Sequence, residues 1–589
     1  MSNNDFRIRF SPFRLTDEQQ TAVSQSLRLS RIKIEALAGT GKTATLIEIA
    51  RALKNERPDR RILYTAFNRK IVRAVESEMG QLAECFTMHQ LAYHSVGASM
   101  CRSKLRDSPF VLNPTEGAQL IGADEDCHVV AKACHNPFPS KYEEYPIVLT
   151  KEMIFEFASQ TVTRFCQSAD LAIDISHVPE EIYCKCEPFS VQKDEQQFSD
   201  FFLIPFEVRS IIKEAALMIW IETQEPTSFR FPFRHDHYLK IWHLMQQPLP
   251  YDVILFDEAQ DADPIMADIV NRHQGKTVWC GDRYQAIYEW RGAVNSMELV
   301  NADATIHLTR SFRFGVAIAT VINTILQHLG APRLHGDPAI RSQVGILENP
   351  DAEIYRSNTG ALIRFVELAE QGIAVRVHFN LNELTRLVIA IEDLLNGRRP
   401  SHERLNRFES LEELVVWMMN QPQTEDLVQT IWRLLKTKQS SAGDSVSPLV
   451  QVSILREDTV EWITRLKGAI HRAGSRRGQN VGRFVGTIHS VKGLEFGSVF
   501  VGRQSLRLHA VASDWHLAYV ALSRARYHLD YHIDIDDDGD HIIQLRNYLD
   551  GDEVADPGLD IAGNPLGDST RRFVPNLERL RERFGSRGR

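Results

Sequence analysis

Residues 34–46 read IEALAGTGKTATL, and this stretch decides the fold class. An apolar run stops at Gly39 and Gly41, and a helix-like run begins at Lys42 and Thr43. Glycine permits the tight turn that aims backbone N–H groups at a phosphate, and the helix that follows adds its positive N-terminal end. Lys42 is predicted to reach the β- and γ-phosphates, and Thr43 to ligate Mg²⁺. The stretch therefore predicts a phosphate-binding loop between a strand and a helix.

A second stretch, VILFDEAQDAD at 253–263, is an apolar strand that ends in Asp257 and Glu258. An aspartate at a strand end is suited to hold Mg²⁺, and an adjacent glutamate to orient or deprotonate an attacking water. Each stretch alone has another reading. Ala36 stands where the strict phosphate loop has a glycine, and Asp-Glu pairs are commonly solvated loop residues. Together the two stretches predict ATP hydrolysis with ATP and Mg²⁺ bound.

Composition limits the class of protein. The 589 residues are 43% hydrophobic and 25% charged, which suits several folded domains with their own cores. The net charge of −9 excludes a basic field over the whole molecule, so a nucleic-acid surface has to be a local patch. The chain has no run of about 18 apolar residues, so we expect no membrane span. We expect a cytoplasmic protein, associated with the nucleoid if its source is bacterial.

The eight cysteines are too sparse for a disulfide scaffold in a chain of this length. Six of them lie between Cys101 and Cys186. Because their spacings match no CxxC pair, ordinary reduced thiols are favoured, and a metal or cluster site is the alternative.

The order of apolar runs predicts the architecture. Short β-rich runs alternate with helical stretches towards both ends of the chain, which predicts an α/β fold with parallel sheets. Residues 96–235 and 381–480 break this pattern and read as mainly helical insertions.

Nine motifs occur in the order found in one enzyme family. They are LTDEQQTAV (15–23), AGTGKT (38–43), TAFNRK (65–70), TMHQLAYH (87–94), LFDEAQD (255–261), GDRYQAIYEWRGA (281–293), LTRSFRF (308–314), TIHSVKGLEF (487–496) and AYVALSRAR (518–526). The chain resembles superfamily 1 DNA helicases of the UvrD, Rep and PcrA group, with some likeness to the F-box DNA helicase branch.

The resemblance implies two RecA-like P-loop motor domains with parallel sheets, each carrying a mainly helical insertion. It implies these boundaries: a first motor domain at 1–95 and 236–300, its insertion at 96–235, a second motor domain at 301–380 and 481–550, its reduced insertion at 381–480, and a C-terminal tail with a basic helix at 551–589.

The resemblance also assigns the nucleotide site. It implies that Gln19 reads the adenine edge, that Phe312 stacks on the adenine and that Glu495 binds the ribose. The family usually places an arginine against the other face of the adenine, where this chain has Ala44. The phosphates are held by the loop residues Ala38, Gly39, Thr40, Gly41, Lys42 and Thr43.

Catalysis in this family needs groups from both motor domains. The resemblance implies that Gln285 senses the γ-phosphate and that Glu258 activates water. Arg313 and Arg524 come from the second domain and neutralise the γ-phosphate, as arginine fingers do. Mg²⁺ is held by Thr43 and Asp257.

Single-stranded DNA and junctions between single- and double-stranded DNA are the implied partners. Trp290 is expected to stack on a base, which tolerates any sequence. Lys240 and His237 are expected either to face the strand or to be structural, and Lys492 to supply part of a basic groove. The DNA-binding residues implied by the motifs are Phe67, Asn68, Thr87, His89, Tyr288, Trp290, Arg291, Thr487 and His489.

Three functions remain open at this point. The first is an ATP-dependent helicase or translocase that moves 3′ to 5′ on single-stranded DNA in repair, recombination or replication. The second is a motor subunit or protein-stripping translocase of a repair or phage-defence complex that unwinds weakly alone, with a protein partner bound through the insertions or the tail. The third is a nucleotide-gated DNA-binding scaffold.

Overall fold

The computed structural model describes residues 15–96, 98–107, 112–133, 144–183, 201–287, 295–402, 404–419, 430–431, 448–474, 482–502, 505–508 and 512–535. Both of its parallel sheets and both insertions lie in one compact unit that ends at Asp534. Within the described ranges, every helix is too short or too polar to cross a bilayer.

A six-stranded sheet forms the centre of the first domain. Its strands are β1 (Arg31–Ala36), β2 (Ile62–Ala66), β3 (Glu84–Cys85), β8 (Val253–Asp257), β9 (Lys276–Gly281) and β10 (Ala304–Leu308). They lie in the order β10-β1-β9-β8-β2-β3, and every neighbouring pair is parallel. All five residues of β8 are buried, as a parallel sheet covered on both faces requires.

Helices cover both faces of this first sheet. They are α1 (Asp17–Arg28), α2 (Lys42–Glu56), α3 (Arg69–Met79), α4 (Met88–Val96), α9 (His235–Leu244), α10 (Pro264–Asn271) and the short α11 (Ser296–Leu299). The apolar residues of α1, α2 and α3 pack on one face, and those of α4, α9 and α10 pack on the other. The carboxyl ends of the strands therefore meet at one edge, where the phosphate loop begins.

The expected boundary at residue 300 is wrong in one respect. Strand β10 lies beyond it but pairs with β1, with Ile306 opposite Ile34. The first domain therefore extends through β10, because its edge strand is supplied by the chain after α11.

The first insertion contains four described α-helices and a sheet. Its helices are α5 (Ala98–Asp107), α6 (Pro114–Leu120), α7 (Lys151–Gln167) and α8 (Phe206–Gln224). Its strands are β4 (Cys127–Ala133), β5 (Glu144–Leu149), β6 (Glu181–Tyr183) and β7 (Phe201–Leu203). The strands form an antiparallel sheet in the order β5-β4-β7-β6. Sequence reasoning missed this sheet, because its strands are short and one face stays exposed, for example at Val130.

A second six-stranded parallel sheet forms the centre of the second domain. Its strands are β11 (Gln343–Val344), β12 (Ala352–Tyr355), β13 (Val375–Val377), β14 (Arg483–Thr487), β15 (Phe496–Val501) and β17 (Ala525–Asp530). Their order is β11-β17-β15-β12-β14-β13. The predicted α/β class with two parallel sheets is confirmed.

Three helices and a small sheet complete the second domain. The helices are α12 (Val316–His328), α13 (Asn358–Glu370) and α17 (Ala512–Leu522). Strands β16 (Leu506–Leu508) and β18 (Ile533–Ile535) pair as a separate two-stranded sheet.

The second insertion is helical in its described part. It contains α14 (Leu381–Leu395), α15 (Leu411–Met419) and α16 (Pro448–Gly474). Leu387 and Leu466 from this insertion share one hydrophobic core with Phe365 of α13. The insertion is therefore packed directly on the second domain.

One ion pair joins the two insertions. Arg407 Nη1 lies 3.1 Å from Glu156 Oε1, and both side chains are mostly buried. The Arg407 guanidinium also lies 4.7 Å from the ring centres of Phe408 and Trp417. Burial raises the pKa of Glu156, although Arg407 opposes that shift. The contact is thus a desolvated pair that needs both partners.

The cysteines of the described residues are unpaired. Cys85, Cys127, Cys166 and Cys280 are free thiols. The described parts of the chain contain no group of three or more His, Cys, Asp or Glu side chains arranged to hold a metal. Of the six cysteines for which a metal site was the alternative, Cys134, Cys184 and Cys186 lie outside those parts.

Lys240 and His237 lie inside the protein rather than on a DNA-facing surface. Lys240 Nζ donates to the carbonyl oxygens of Ser168 at 2.8 Å and Asp170 at 2.6 Å, and the side chain is buried. His237 is also buried, and its Nδ1 accepts from the N–H of Arg234 at 3.2 Å. Of the two alternatives, the one in which these residues face the strand is wrong, and both residues are structural. Lys240 joins α9 to the first insertion, and His237 accepts from the backbone at the start of α9.

Lys240→Met should lower stability without changing DNA affinity. The substitution leaves the carbonyl groups of Ser168 and Asp170 without their donor, and each such loss costs about 1–3 kcal/mol. Calorimetry measures the melting temperature, and titration of a labelled single-stranded oligonucleotide at several salt concentrations measures the salt dependence of binding. The control is Lys70→Met, an exposed lysine, which should leave the melting temperature unchanged. A stable Lys240→Met protein with a weaker salt dependence would show that Lys240 contacts DNA.

The pKa of His237 predicts a loss of stability in acid. Burial and Arg234 lower the pKa of His237 to about 4. The unfolded chain therefore binds more protons than the folded one between about pH 6.5 and pH 4, and stability falls as the pH falls through that window. His237→Asn keeps an acceptor for the N–H of Arg234 but does not titrate. Between pH 7 and pH 5 we expect the melting temperature of the parent to fall more than that of His237→Asn. A difference between the two melting temperatures that does not change with pH would contradict the lowered pKa of His237.

Candidate active site

The phosphate loop lies between β1 and α2. Gly39 and Gly41 have φ angles of 74° and 80°, in the left-handed region that favours glycine. A Cβ atom at Gly39 would come within 2.5 Å of Ser311 Oγ and 2.6 Å of Arg313 Cβ, so the loop packs tightly on the segment after β10. No side chain caps the first turn of α2, which leaves its N–H groups for an anion. This geometry fits a triphosphate.

Asp257 ends β8 directly beside the loop. Its Oδ2 accepts from Thr43 Oγ1 at 3.0 Å and from Tyr64 OH at 2.8 Å. Burial and the neighbouring Glu258 raise the pKa of Asp257 to about 6. Hydroxyl and carboxylate oxygens are the donors that Mg²⁺ prefers, so Thr43 and Asp257 fit the predicted metal role. Tyr64 was not predicted, because a tyrosine within a buried strand resembles an ordinary core residue.

Glu258 has a backbone conformation that is rare for a side chain of its size. Its φ is 52°, and its Oε1 lies 3.7 Å from Lys42 Nζ. Its Oε2 accepts from Gln260 Nε2 at 2.7 Å. Burial alone would raise the pKa of Glu258, but Lys42 and Lys492 lower it below its ordinary value. The carboxylate is therefore charged and held at the edge of the loop, in a strained conformation of the kind found at functional sites.

The predicted adenine-binding residues Gln19 and Phe312 lie together at Gly41 of the loop. Gln19 caps α1 with Thr16 and donates from Nε2 to Thr45 Oγ1 at 3.1 Å. Phe312 is 42% exposed, and its N–H donates to the Gly39 carbonyl at 2.8 Å. A Cβ atom at Gly41 would lie 3.0 Å from Gln19 Nε2 and 3.7 Å from the Phe312 ring. The amide and the aromatic ring thus lie together at Gly41, and their adenine-binding roles remain predictions.

Ala44, where the family usually has an arginine, is exposed in the first turn of α2.

The guanidinium of Arg313 binds two groups of the second domain. Its Nε donates to Glu495 Oε1 at 2.8 Å and its Nη1 to the Ser523 carbonyl at 3.0 Å. The carboxylate predicted to bind ribose is therefore occupied by an arginine in this structure. The pair lies beside Gly39, because the Arg313 backbone packs on that glycine.

Arg524 reaches across from the second domain into the first. It is fully buried, and its Nη2 donates to Gln285 Oε1 at 3.1 Å. Its Nε donates to the Val520 carbonyl at 2.8 Å. Burial and Arg313 lower the pKa of Arg524 to about 9. The second predicted arginine finger is thus already in contact with the predicted γ-phosphate sensor.

Tyr519 is a site residue that sequence reasoning missed. Its hydroxyl accepts from the Ala38 N–H at 2.7 Å and donates to Asp282 Oδ2 at 2.8 Å. Asp282 Oδ2 also accepts from Gln285 Nε2 at 2.6 Å. The N–H of Ala38, which was predicted to bind the nucleotide, therefore donates to the Tyr519 hydroxyl instead. A signal existed in the sequence, since Tyr519 stands five residues before Arg524 in the same motif.

Lys492 is engaged in a buried contact between the domains. Its Nζ lies 2.6 Å from Asp261 Oδ1 and also donates to the Gln285 carbonyl. Both side chains of the ion pair are less than 10% exposed. Burial raises the pKa of Asp261 to about 6, although Lys492 opposes that shift. The expectation that Lys492 lines a basic groove is wrong.

Three predicted DNA contacts are hydrogen-bond acceptors for their own turns. Thr87 Oγ1 accepts from the N–H of Gln90 at 3.2 Å, and Thr487 Oγ1 from that of Ser490 at 3.2 Å. Asn68 Oδ1 accepts from an N–H in the first turn of α3. These side chains fix the local backbone.

The other predicted DNA contacts are placed as follows. His89 Nε2 lies 3.5 Å from Asp236 Oδ1, and His489 Nε2 lies 3.1 Å from the Ile287 carbonyl oxygen. Phe67 is partly buried against the core under α4. Tyr288, Trp290 and Arg291 lie outside the described residues. The DNA-binding roles of all these residues remain predictions.

Known proteins resemble this chain over most of its length. It is 26% identical over 558 residues to F-box DNA helicase protein 1 of Schizosaccharomyces pombe, which covers 87% of this chain and 57% of that protein. It is 25% identical over 553 residues to F-box DNA helicase 1 of Gallus gallus, covering 88% of this chain and 49% of that protein. The chain thus spans about half the length of these relatives.

The family comparison agrees with the motifs. Residues 15–303 match the model of the UvrD/REP helicase N-terminal domain. The predicted resemblance to this group, with a likeness to the F-box DNA helicases, is confirmed. Over residues 15–303 the chain is therefore similar to the N-terminal domain of the UvrD/REP helicases.

Proposed function

We propose that the chain is an ATP-driven helicase or translocase that moves 3′ to 5′ along single-stranded DNA. The observation that carries this proposal is the hydrogen bond from Arg524 to Gln285, since it joins a cation of the second domain to the phosphate-facing groups of the first. The family match and the two F-box DNA helicases support an action on DNA.

The proposed chemistry is hydrolysis of ATP between the two domains. The loop N–H groups and Lys42 bind the β- and γ-phosphates. The oxygen of a water molecule attacks the γ-phosphorus, and the bond to the β–γ bridging oxygen breaks. Glu258 accepts the water proton, for which its lowered pKa keeps it charged at the start of the reaction.

Mg²⁺ would be held by Thr43 and Asp257, and it supplies positive charge that offsets the charge of the phosphates when bound. The resting distance of 3.0 Å between Thr43 Oγ1 and Asp257 Oδ2 brings both oxygen donors to one point.

The two arginines respond to the γ-phosphate in different ways. Arg524 is buried next to Gln285, so a small movement presents it to the phosphate. Arg313 exchanges Glu495 for the phosphate, which releases the Glu495 carboxylate for the ribose. Permanent charge and a forked geometry suit arginine to both tasks.

Movement follows if closing and opening of the cleft changes the grip on DNA. His489 of the second domain already lies 3.1 Å from the Ile287 carbonyl, just before the segment predicted to stack on bases. The state of the cleft is thereby linked to the proposed DNA path. A scaffold in which turnover is incidental would not need Lys42, Glu258 and the two arginines together.

The activity test uses the purified chain, ATP with Mg²⁺, and tailed duplexes. We expect single-stranded DNA to stimulate ATP hydrolysis, and a 3′-tailed duplex to be separated in preference to a 5′-tailed one. The absence of stimulation would exclude the motor function. Stimulation without strand separation would favour a translocase that works within a complex. Separation of the 5′-tailed duplex alone would reverse the proposed polarity.

Glu258→Gln should abolish turnover while ATP and DNA still bind. The amide keeps the size of the side chain but cannot accept the water proton, and loss of a general base costs about 10²–10⁴-fold in rate. A phosphate-release assay measures turnover, and titration of a fluorescent ATP analogue measures binding. The matched control is Glu56→Gln at the far end of α2, where Glu56 pairs with Arg60, and it should hydrolyse ATP like the parent. If Glu258→Gln retains turnover, another group is the base.

A further inference from the structure

We propose that the Tyr519 hydroxyl is a positioning group for the reaction, which aligns Gln285 and the phosphate loop when the second domain docks on the first. This inference rests on the proposed ATP hydrolysis and adds a residue that the nine motifs did not assign. Tyr519 does not act on the reacting atoms itself.

The hydroxyl connects two parts of the first domain from outside that domain. Tyr519 lies in α17 of the second domain and is fully buried. It accepts from the Ala38 N–H at 2.7 Å and donates to Asp282 Oδ2 at 2.8 Å. Ala38 immediately precedes Gly39 of the phosphate loop, and Asp282 follows β9. One phenol thereby holds together two loops at the carboxyl edge of the first sheet.

The same hydrogen bonds determine the orientation of the Gln285 amide. Its Nε2 donates to Asp282 at 2.6 Å, and its Oε1 accepts from Arg524 at 3.1 Å. A rotated amide would direct its NH₂ group at the arginine and its oxygen at the carboxylate, and both contacts would be lost. Asp282 shares one oxygen between Tyr519 and Gln285, so the position of the carboxylate sets the position of the amide.

The direction of the Tyr519 bonds follows from its protonation. Burial and Asp282 raise the pKa of Tyr519 far above its ordinary value, so the side chain stays a hydroxyl. The hydroxyl has one proton, and the Ala38 N–H occupies a lone pair, so the proton goes to Asp282. Lys42 faces the same carboxylate and opposes the rise in its pKa that burial causes. We call these two hydrogen bonds, from Ala38 to Tyr519 and from Tyr519 to Asp282, the relay. Both donate in the same direction along the chain of groups.

Tyr519 and Arg524 arrive at the first domain together. They are five residues apart, in α17 and in the turn that follows it, and Arg524 donates back to the Val520 carbonyl. Docking of α17 hence supplies the phenol to the phosphate loop and the guanidinium to Gln285 in one step. Loss of the phenol should leave Arg524 in place but leave Gln285 and the loop less precisely positioned.

This role predicts a loss in turnover rather than in ATP binding. The predicted adenine-binding residues Gln19 and Phe312 lie at Gly41, whereas Tyr519 binds the loop at Ala38. Misplacement of groups around a reacting centre by about 1 Å can cost on the order of 10²-fold in rate. For Tyr519→Phe we expect kcat of the DNA-stimulated ATPase to fall roughly 10- to 100-fold, with KM for ATP changed by less than about threefold.

The matched control removes the same atom elsewhere in the second domain. Tyr355 also donates to a carboxylate, Glu353, at 2.9 Å. Tyr355→Phe should keep the kcat and KM of the parent. A second measurement compares the affinity for ADP, which should be equal in Tyr519→Phe and the parent, with that for ADP plus aluminium fluoride, which should be weakened at least about tenfold.

The outcomes separate this inference from the proposed function. An active parent whose kcat is unchanged in Tyr519→Phe would overturn the positioning role alone, as would a rise in KM with unchanged kcat. A parent without any ATPase would overturn both.

If Tyr519→Phe has a lower melting temperature than Tyr355→Phe, Asp282→Asn provides the second test. It should lower kcat as well, and adding Tyr519→Phe to it should cause little further loss, whereas fully multiplied losses would contradict a shared relay.

Discussion

The arrangement of the site depends on how the buried guanidinium of Arg524 is satisfied. A cation taken out of water is costly unless hydrogen-bond acceptors surround it. The second domain supplies three of them, the carbonyls of Val520 and Leu494 and the hydroxyl of Ser523. The first domain supplies the oxygen of Gln285. Burial still lowers the pKa of Arg524 to about 9. In the proposed site, the phosphate of a bound nucleotide would offset this remaining cost.

Both domains place similar residues at equivalent places. Thr87 follows β3 and Thr487 ends β14, and each hydroxyl accepts from the N–H three residues later. A histidine stands two residues after each threonine, at His89 and His489. Because the threonines fix these turns, the backbone of each turn is presented at the carboxyl edge of its sheet in a defined way. In the proposed motor, these two equivalent turns would each bind the DNA strand from its own domain.

The sequence predicted those parts of the site whose residues follow one another at characteristic spacings along the chain. Lys42, Thr43, Asp257 and Glu258 lie where a strand, a glycine turn and a strand end should bring them. Arg313 and Arg524 came from the resemblance, since the pattern of one chain does not show which distant cation reaches the phosphate loop.

Other features could not be predicted, for physical reasons. Tyr64 reads as a core aromatic, because Asp257, the partner of its hydroxyl, is distant in sequence. The motif marks the position of Tyr519 but not its partners, because Ala38 and Asp282 are distant in sequence. The sequence left open whether Lys240 faces DNA or is structural. Two carbonyls and an aromatic ring 4.0 Å away accommodate it inside the protein, and these partners are distant in sequence. The edge strand β10 comes after the expected boundary, since sheet order is a property of the fold and not of the order along the chain.

The ion pair of Arg407 and Glu156 gives the molecule a second point of attachment. The two halves are joined at the nucleotide cleft, and they are joined again through their insertions. Two domains that are joined at two points cannot rotate freely about one of them. Rotation at the nucleotide cleft requires the contact between the insertions to shift or break. In the proposed ATP-driven cycle, the insertions would therefore limit how far the two domains move apart. Breaking this remote pair would extend that movement without changing any residue of the nucleotide site.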